Sequence, residues 1–326
     1  MNILRIILII VMTLLPVFPA TAARLVYRDK IGRRVTIQTP VKRAVLYETY
    51  ELLPVTGAWS QVAGISSYAH DNDLLLAIKP DFAKTIPSVG SAMDTNAESL
   101  LKLKPDLVLT WTVNPQIVRF LEQKGLTVIA VYPESLSELY EVMRLQGRLF
   151  GREKSVEKAI ARMEEMFDLI HTRVAEIPPS ARKKALYLTG KQTRVNGRIG
   201  ITHDLFTMMG LENGAQELGE RSADVSLEKI IAWNPELIFI WGSARYTAAD
   251  LIKNPQWRHI KAVKQLDVHK APKWGTWSPR LAPIALWMAA IAYPERFKDI
   301  DVSKTIDKFY RDVYGIPYAK VTQIEN

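Results

Sequence analysis

Residues 98–111 of this chain read ESLLKLKPDLVLTW, and residues 228–241 read EKIIAWNPELIFIW. The two phrases align without a gap at a spacing of 130 residues. Glu98 matches Glu228, Pro105 matches Pro235, Leu107 matches Leu237, Trp111 matches Trp241, and Asp106 faces Glu236. Proline ends a helix and pushes the residue before it toward extended backbone. Each phrase therefore predicts a short amphipathic helix, a stop, and a strand that is apolar on both faces. Such strands suit parallel sheets covered by helices. A chain that writes this unit twice is expected to fold as two related α/β halves.

The surrounding sequence agrees. Residues 24–40 predict a hairpin with its turn near Lys30-Ile31-Gly32, and 41–47 a first core strand. Strands at 62–68 and 107–111, a helix in NPQIVRFLEQKG and a strand in LTVIAVY complete a βαβα alternation over residues 23–150. The segment 151–177 then places Val156, Ala159, Ile160, Met163, Met166, Phe167, Ile170 and Val174 at steps of three and four, ending before Pro178-Pro179. That is one apolar stripe on a single helix more than five turns long. Alternation restarts over 178–326 with a strand in KKALYLTG, a helix capped by Thr202 and Gly210, the second phrase, and two final helices. The predicted fold is α/β, with two lobes of mainly parallel sheet joined by one long helix and a cleft between them.

Arg5 followed by Ile6–Leu15, apolar except for Thr13, then Pro16, Pro19 and Ala20-Thr21-Ala22, predicts a signal peptide over residues 1–22. The apolar run is too short for a membrane span. The sequence contains no cysteine, which excludes disulfides, thiol nucleophiles and a lipid attached through a cysteine. The expected location is the periplasm, as a cleaved monomer without a lipid anchor. Net charge is +9, or +8 once Arg5 has left with the signal, which favours anionic partners. No nucleic-acid-binding signature is present. Neither is a G-x-S-x-G elbow, an H-E-x-x-H pair or a P-loop. Glu48 and Asp71 are candidates for the paired carboxylates of an enzyme, and a periplasmic hydrolase is the distant alternative.

The paired phrases, VAGISSY at 62–68, VNGRIGITHDLFTMMGLENGAQEL and WSPR at 277–280 together resemble the helical-backbone (class III) substrate-binding proteins of ABC importers. That family captures ferric siderophores, haem, cobalamin and related metal chelates. The resemblance implies a rigid linking helix at about 153–176, solute held between the lobes, and no intrinsic cofactor or enzymatic activity. It also implies that Glu98 and Glu228 dock one lobe each onto a permease dimer in the inner membrane. The small Gly90-Ser91-Ala92 loop argues against cobalamin, and the modest number of arginines near the mouth argues against a strongly tri-anionic catecholate.

Ligands of open α/β sheets lie at the carboxyl ends of the strands. That rule selects Tyr47, Glu48, Tyr68, Trp111 and Trp241, and the late segment adds Lys273, Trp274, Trp277 and Arg280. The Asn196-Gly197 pair predicts a turn that lifts Arg194 or Arg198 toward the cleft. Aromatic faces with a few cations suit a flat, anionic ligand. Trp59, Trp233, Trp257 and Trp287 are expected in the core. The five histidines form no close pair, so a bare metal ion is not expected; His70 and His203 are candidates to complete the coordination of an incoming chelate.

Overall fold

The computed structural model describes residues 23–95, 97–112 and 114–325. The expected signal peptide, residues 1–22, lies outside them. Among the described residues no helix is long and apolar enough to cross a membrane.

The hairpin forms as expected from strands Ala23–Arg28 and Arg34–Thr39, with Gly32 left-handed at the turn. The N-terminal sheet is wholly parallel. Its spatial order is Val62–Ile65, Ala44–Leu46, Leu107–Trp111 and Val128–Val131. In the C-terminal sheet, Lys184–Leu188, Leu237–Ile240 and Val268–Lys270 run parallel. Arg194–Asn196 and Ser222–Asp224 extend that sheet antiparallel at one edge.

The repeated phrase has one structural meaning in both lobes. Helices Ala97–Leu103 and Leu227–Trp233 end on Lys104 and Asn234, both left-handed at φ 44 and 48. A left-handed residue terminates a helix and redirects the chain, here straight into the proline. The residue after each proline then ties down the start of the neighbouring strand. Asp106 donates its N–H to the Arg43 carbonyl at 3.1 Å, and its carboxylate accepts from the N–H groups of Lys42 and Arg43 at 2.8 and 3.0 Å. Glu236 repeats this on Lys184, donating at 2.8 Å and accepting at 3.3 Å. The acid in each phrase therefore sets strand register.

The connecting helix is Glu153–Val174, and its buried residues are the eight of the predicted stripe. They pack against Leu136–Phe150, Leu281–Ala292 and Val302–Tyr314. One hydrophobic core thereby runs from Leu52 and Leu74 in the first lobe through the helix to Phe206 and Phe239 in the second. The linker is a core element rather than a tether. Helix Ala319–Glu325, within the segment expected to form the C-terminal lobe, packs on Asp73–Ile78 of the N-terminal lobe.

Two local expectations fail. Thr202 does not cap its helix. Gly200 precedes Ile201–Met208, and the Thr202 hydroxyl instead accepts from Asn196 Nδ2 at 3.0 Å. Asn196-Gly197 is not a hairpin turn either. Asn196 ends a strand, and a Cβ on Gly197 would stand 2.4 Å from the Glu220 carbonyl oxygen. The glycine is there for close backbone approach, and the turn lies just before Arg194.

Candidate functional site

The carboxyl ends of both sheets face one crevice, and three aromatic rings meet there from the two lobes. Trp111 ends its strand and Tyr132 follows the next one. Trp277 reaches them from the other lobe. The Tyr132 and Trp277 ring centres are 4.7 Å apart at 72°, and Trp111 lies 6.0 Å from Tyr132 and 6.1 Å from Trp277. The two contacts of Trp277 are edge-to-face, and such pairs contribute about 0.5–1.5 kcal/mol each beyond the area they bury. The Arg221 guanidinium stands 4.9 Å from the centre of the Tyr132 ring, a cation–π contact. Arg221 also pairs across the lobes with Glu134, which Lys30 holds from its other side at 2.8 Å. Burial raises the Tyr132 hydroxyl, and nearby Arg221 and Arg194 oppose the rise. Arg194 donates to the Ser222 hydroxyl at 2.8 Å and lies 3.6 Å from Asp224. The crevice thus presents an aromatic wall with two arginines at its edge.

Glu48 is partly buried at the end of the first strand. Burial raises its carboxyl to about 8; the Thr49 N–H opposes the rise and Glu51 adds to it. Burial also pushes the Tyr50 hydroxyl well up, with Glu48 and Glu51 contributing. Between these acids Thr49 is fully buried and left-handed at φ 61. A β-branched residue rarely adopts that conformation, and the strain is on the order of 1–3 kcal/mol.

The structure divides the predicted residues. Trp111 and Trp277 come together between the lobes; Arg194 is near enough to Tyr132 to act on its hydroxyl, and Glu48 lies partly buried at the end of its strand. Trp241 follows its strand and is 40% exposed. Tyr68 is exposed as well, but on the one-turn helix Ser67–His70 rather than at a strand end, because Ser66 caps a helix there. Three residues are displaced into the interior. Tyr47 is fully buried and donates its hydroxyl to the Val89 carbonyl at 3.1 Å. Trp274 packs against Tyr310 and Tyr318. Arg280 is fully buried in an ion cluster with Asp73 and Glu51. Strand-end or loop position, which selects all three for solute contact, does not tell an inward residue from an outward one.

The His70 ring nitrogen Nε2 lies 3.0 Å from the Ile86 carbonyl, and the ring sits edge-on to Phe82, so His70 is a structural residue. His203 is partly buried, and its Nδ1 has no hydrogen-bond partner among the described residues. Its neighbour Asp204 accepts the Leu136 N–H across the lobes at 3.0 Å. Among the described residues no group of three acidic or histidine side chains is arranged to hold a metal ion. Glu98 and Glu228 are both exposed near the start of their helices. Glu98 pairs with Lys102 at 2.7 Å; the backbone N–H of Glu228 and the Ser226 hydroxyl hold the Glu228 carboxyl below its usual range. A separate groove of about 430 Å³, lined by Tyr27, Glu141, Arg144, Arg148, Glu153 and Glu157, lies apart from the residues of the crevice.

Two parallel-sheeted lobes, a packed linking helix and an aromatic crevice define a two-lobed solute-binding protein. The chain belongs to the periplasmic binding protein family, which is matched over residues 44–273. It is 29% identical to Helicobacter pylori CeuE, solved as a nickel–histidine complex, with a TM-score of 0.84 over 92% of this chain and 99% of that one. The molybdate-binding protein MolA of Haemophilus influenzae is 24% identical over 92% of this chain and 93% of its own length. The Fe(3+)-citrate-binding protein YfmC of Bacillus subtilis is 26% identical over 78% and 79%. The chain is thus an ABC-type periplasmic solute-binding protein of this family, and not an enzyme.

Tyr132, Arg221, Glu134 and Lys30 were missed. Tyr132 follows a core strand and was within reach of the strand-end rule. Arg221 carries no local signal; only the pairing of Ser222–Asp224 with the edge of the sheet brings it to the crevice.

Proposed function

We propose that the protein captures an iron–siderophore or similar anionic metal chelate and delivers it to an ABC permease dimer. In this reading the mature chain is a periplasmic monomer, freed of residues 1–22 and without a lipid. Its N-terminal lobe is 23–150, its connecting helix 151–177 and its C-terminal lobe 178–326. The observation that carries the reading is the inter-lobe cluster of Trp111, Tyr132 and Trp277 with Arg221 stacked beside it. A ring wall buries the flat organic part of a chelate, and Arg221 with Arg194 meets its charge. Tyr68 and Trp241 offer further exposed rings at the mouth. Cobalamin, haem and a nickel chelate are the alternatives within the same class.

A smaller oxyanion is a second reading, supported by the likeness to MolA and by Glu48. A carboxyl with a pKa of about 8 is protonated at neutral pH and donates a hydrogen bond to an anion. Affinity for an anionic solute is therefore expected to fall above pH 8, by up to about tenfold per unit if binding requires the protonated form. A cationic complex would show the opposite slope. Calorimetric titration at pH 6, 7, 8 and 9 reads the sign. The folded pKa lies above the usual 4.5, so this group's contribution to folding stability is fully present below about 4.5 and is lost as pH rises to about 8.

Glu98 and Glu228 sit at matched positions on the two lobes, as a pair of permease anchors would. Exposed ion pairs are weak, about 1 kcal/mol or less, and orient docking more than they hold it. The transport reading is tested with Glu98→Ala/Glu228→Ala. Uptake into cells is expected to collapse while solute affinity of the purified protein stays within about twofold. Unchanged uptake would remove the docking assignment.

A further inference from the structure

A buried ion cluster spans the lobes, joining the turn after Glu48 and the start of the helix Asp73–Ile78 on one lobe to the loop that carries Trp277 on the other. Arg280 donates through both terminal nitrogens to the Asp73 carboxylate at 2.7 and 2.5 Å, and to Glu51 Oε1 at 3.1 Å. Its Nε donates to the Tyr310 hydroxyl at 3.0 Å. Asn72 Nδ2 donates to the same Glu51 oxygen at 2.7 Å. The other Glu51 oxygen lies against Gly275, where a Cβ would stand 2.6 Å from it. None of Arg280, Asp73 and Glu51 is more than 5% exposed.

A forked guanidinium–carboxylate pair fixes angle as well as distance, which a point charge does not. The cluster joins the strained turn Glu48–Glu51 on one lobe to the loop Trp274–Arg280 on the other. Three positions separate Glu48 from Glu51, and three separate Trp277 from Arg280. The cluster therefore holds each loop three residues from Glu48 and from Trp277. Thr49 strengthens the coupling, since a strained residue keeps its conformation only while its surroundings enforce it.

We propose that Arg280, Asp73 and Glu51 are positioning residues of the solute site, setting the distance and angle between the Glu48 turn and the Trp277 loop before any solute arrives. This rests on the crevice reading for what the loops hold, but its test needs no solute. The chain has no cysteine, so Lys84→Cys and Lys253→Cys, at exposed sites on opposite lobes, accept the only spin labels. Pulsed electron–electron resonance on this doubly labelled parent is expected to give one narrow inter-lobe distance. Asp73→Asn keeps the side chain's shape but loses the ionic fork, and Gly275→Ala displaces Glu51. Each is expected to shift or broaden the distribution, with Arg280→Lys falling between them and the parent. Circular dichroism first confirms that each variant is folded at the labelling temperature, and Gly275→Ala leaves all three ionic groups intact should Asp73→Asn unfold. A parental distribution in folded variants that melt earlier would overturn the proposal and reduce the cluster to stability alone. A shifted distribution in a protein that binds none of molybdate, ferric citrate or nickel–histidine would support the positioning role and count against the solute reading instead.

Discussion

Arg280→Met is expected to lower folding stability by about 3–5 kcal/mol. Methionine replaces much of the arginine's volume, so little of the loss comes from a cavity. The loss comes from Asp73 and Glu51, left as carboxylates in an interior where Arg280 was their shared cation. For a chain of this size the midpoint of thermal unfolding should fall by on the order of 10 °C. The charge argument makes a second prediction that a packing argument does not. Neutralising all three, as Glu51→Gln/Asp73→Asn/Arg280→Met, should recover much of the stability, because no uncompensated charge remains buried. Urea unfolding of the single and triple variants measures both. An exposed pair such as Glu98 with Lys102 has the same ionic chemistry at a solvated position and should contribute less than about 1 kcal/mol.

Trp277→Ala should have the opposite profile. Trp277 keeps part of its surface accessible and touches Trp111 and Tyr132 across the crevice. Removing it takes away one side of the aromatic wall. Central aromatic residues of binding sites contribute about 2–4 kcal/mol on truncation, so solute affinity should weaken by on the order of 100-fold. Stability should move far less than for a buried tryptophan. Trp274 is the internal control, only three residues away and 3% exposed against Tyr310 and Tyr318. Trp274→Ala should cost roughly 3–5 kcal/mol of stability, because it opens a cavity in the core. Fluorescence-monitored titration and thermal melts of the two variants separate the roles. If Trp277→Ala binds as the parent does, the inter-lobe aromatic cluster is a packing feature.

The fold was legible where local periodicity decides structure. The stripe from Val156 to Val174 could be read residue by residue, since a helix that buries one face must repeat at its own pitch. The paired phrases were legible as well, and the structure adds why an acid follows each proline: Asp106 and Glu236 each bind the start of an adjacent strand. Side-chain direction at strand ends was not legible. Tyr47 and Glu48 are neighbours; Tyr47 is fully buried and Glu48 only partly, because successive residues along a strand point to opposite faces. Of Trp277 and Arg280, both expected at the solute, only Trp277 joins the aromatic rings between the lobes. Arg280 turns inward to pair with Glu51 and Asp73, which lie 229 and 207 residues away in sequence. No local pattern announces an ion pair of that separation. Arg221 was illegible for the same reason, since lobes facing one another create its contact with Tyr132 and Glu134, whereas Tyr132 itself follows a core strand and the strand-end rule reaches it.

The central claim is that solute sits between the lobes against the rings of Trp111 and Trp277. Calorimetric titration of the parent and of Trp111→Ala/Trp277→Ala with molybdate, ferric citrate, nickel–histidine, a ferric hydroxamate and cobalamin tests it most directly. The account predicts that one compound binds the parent with a stoichiometry of one and that its heat disappears in the folded double variant. A compound that binds both proteins equally well would contradict it.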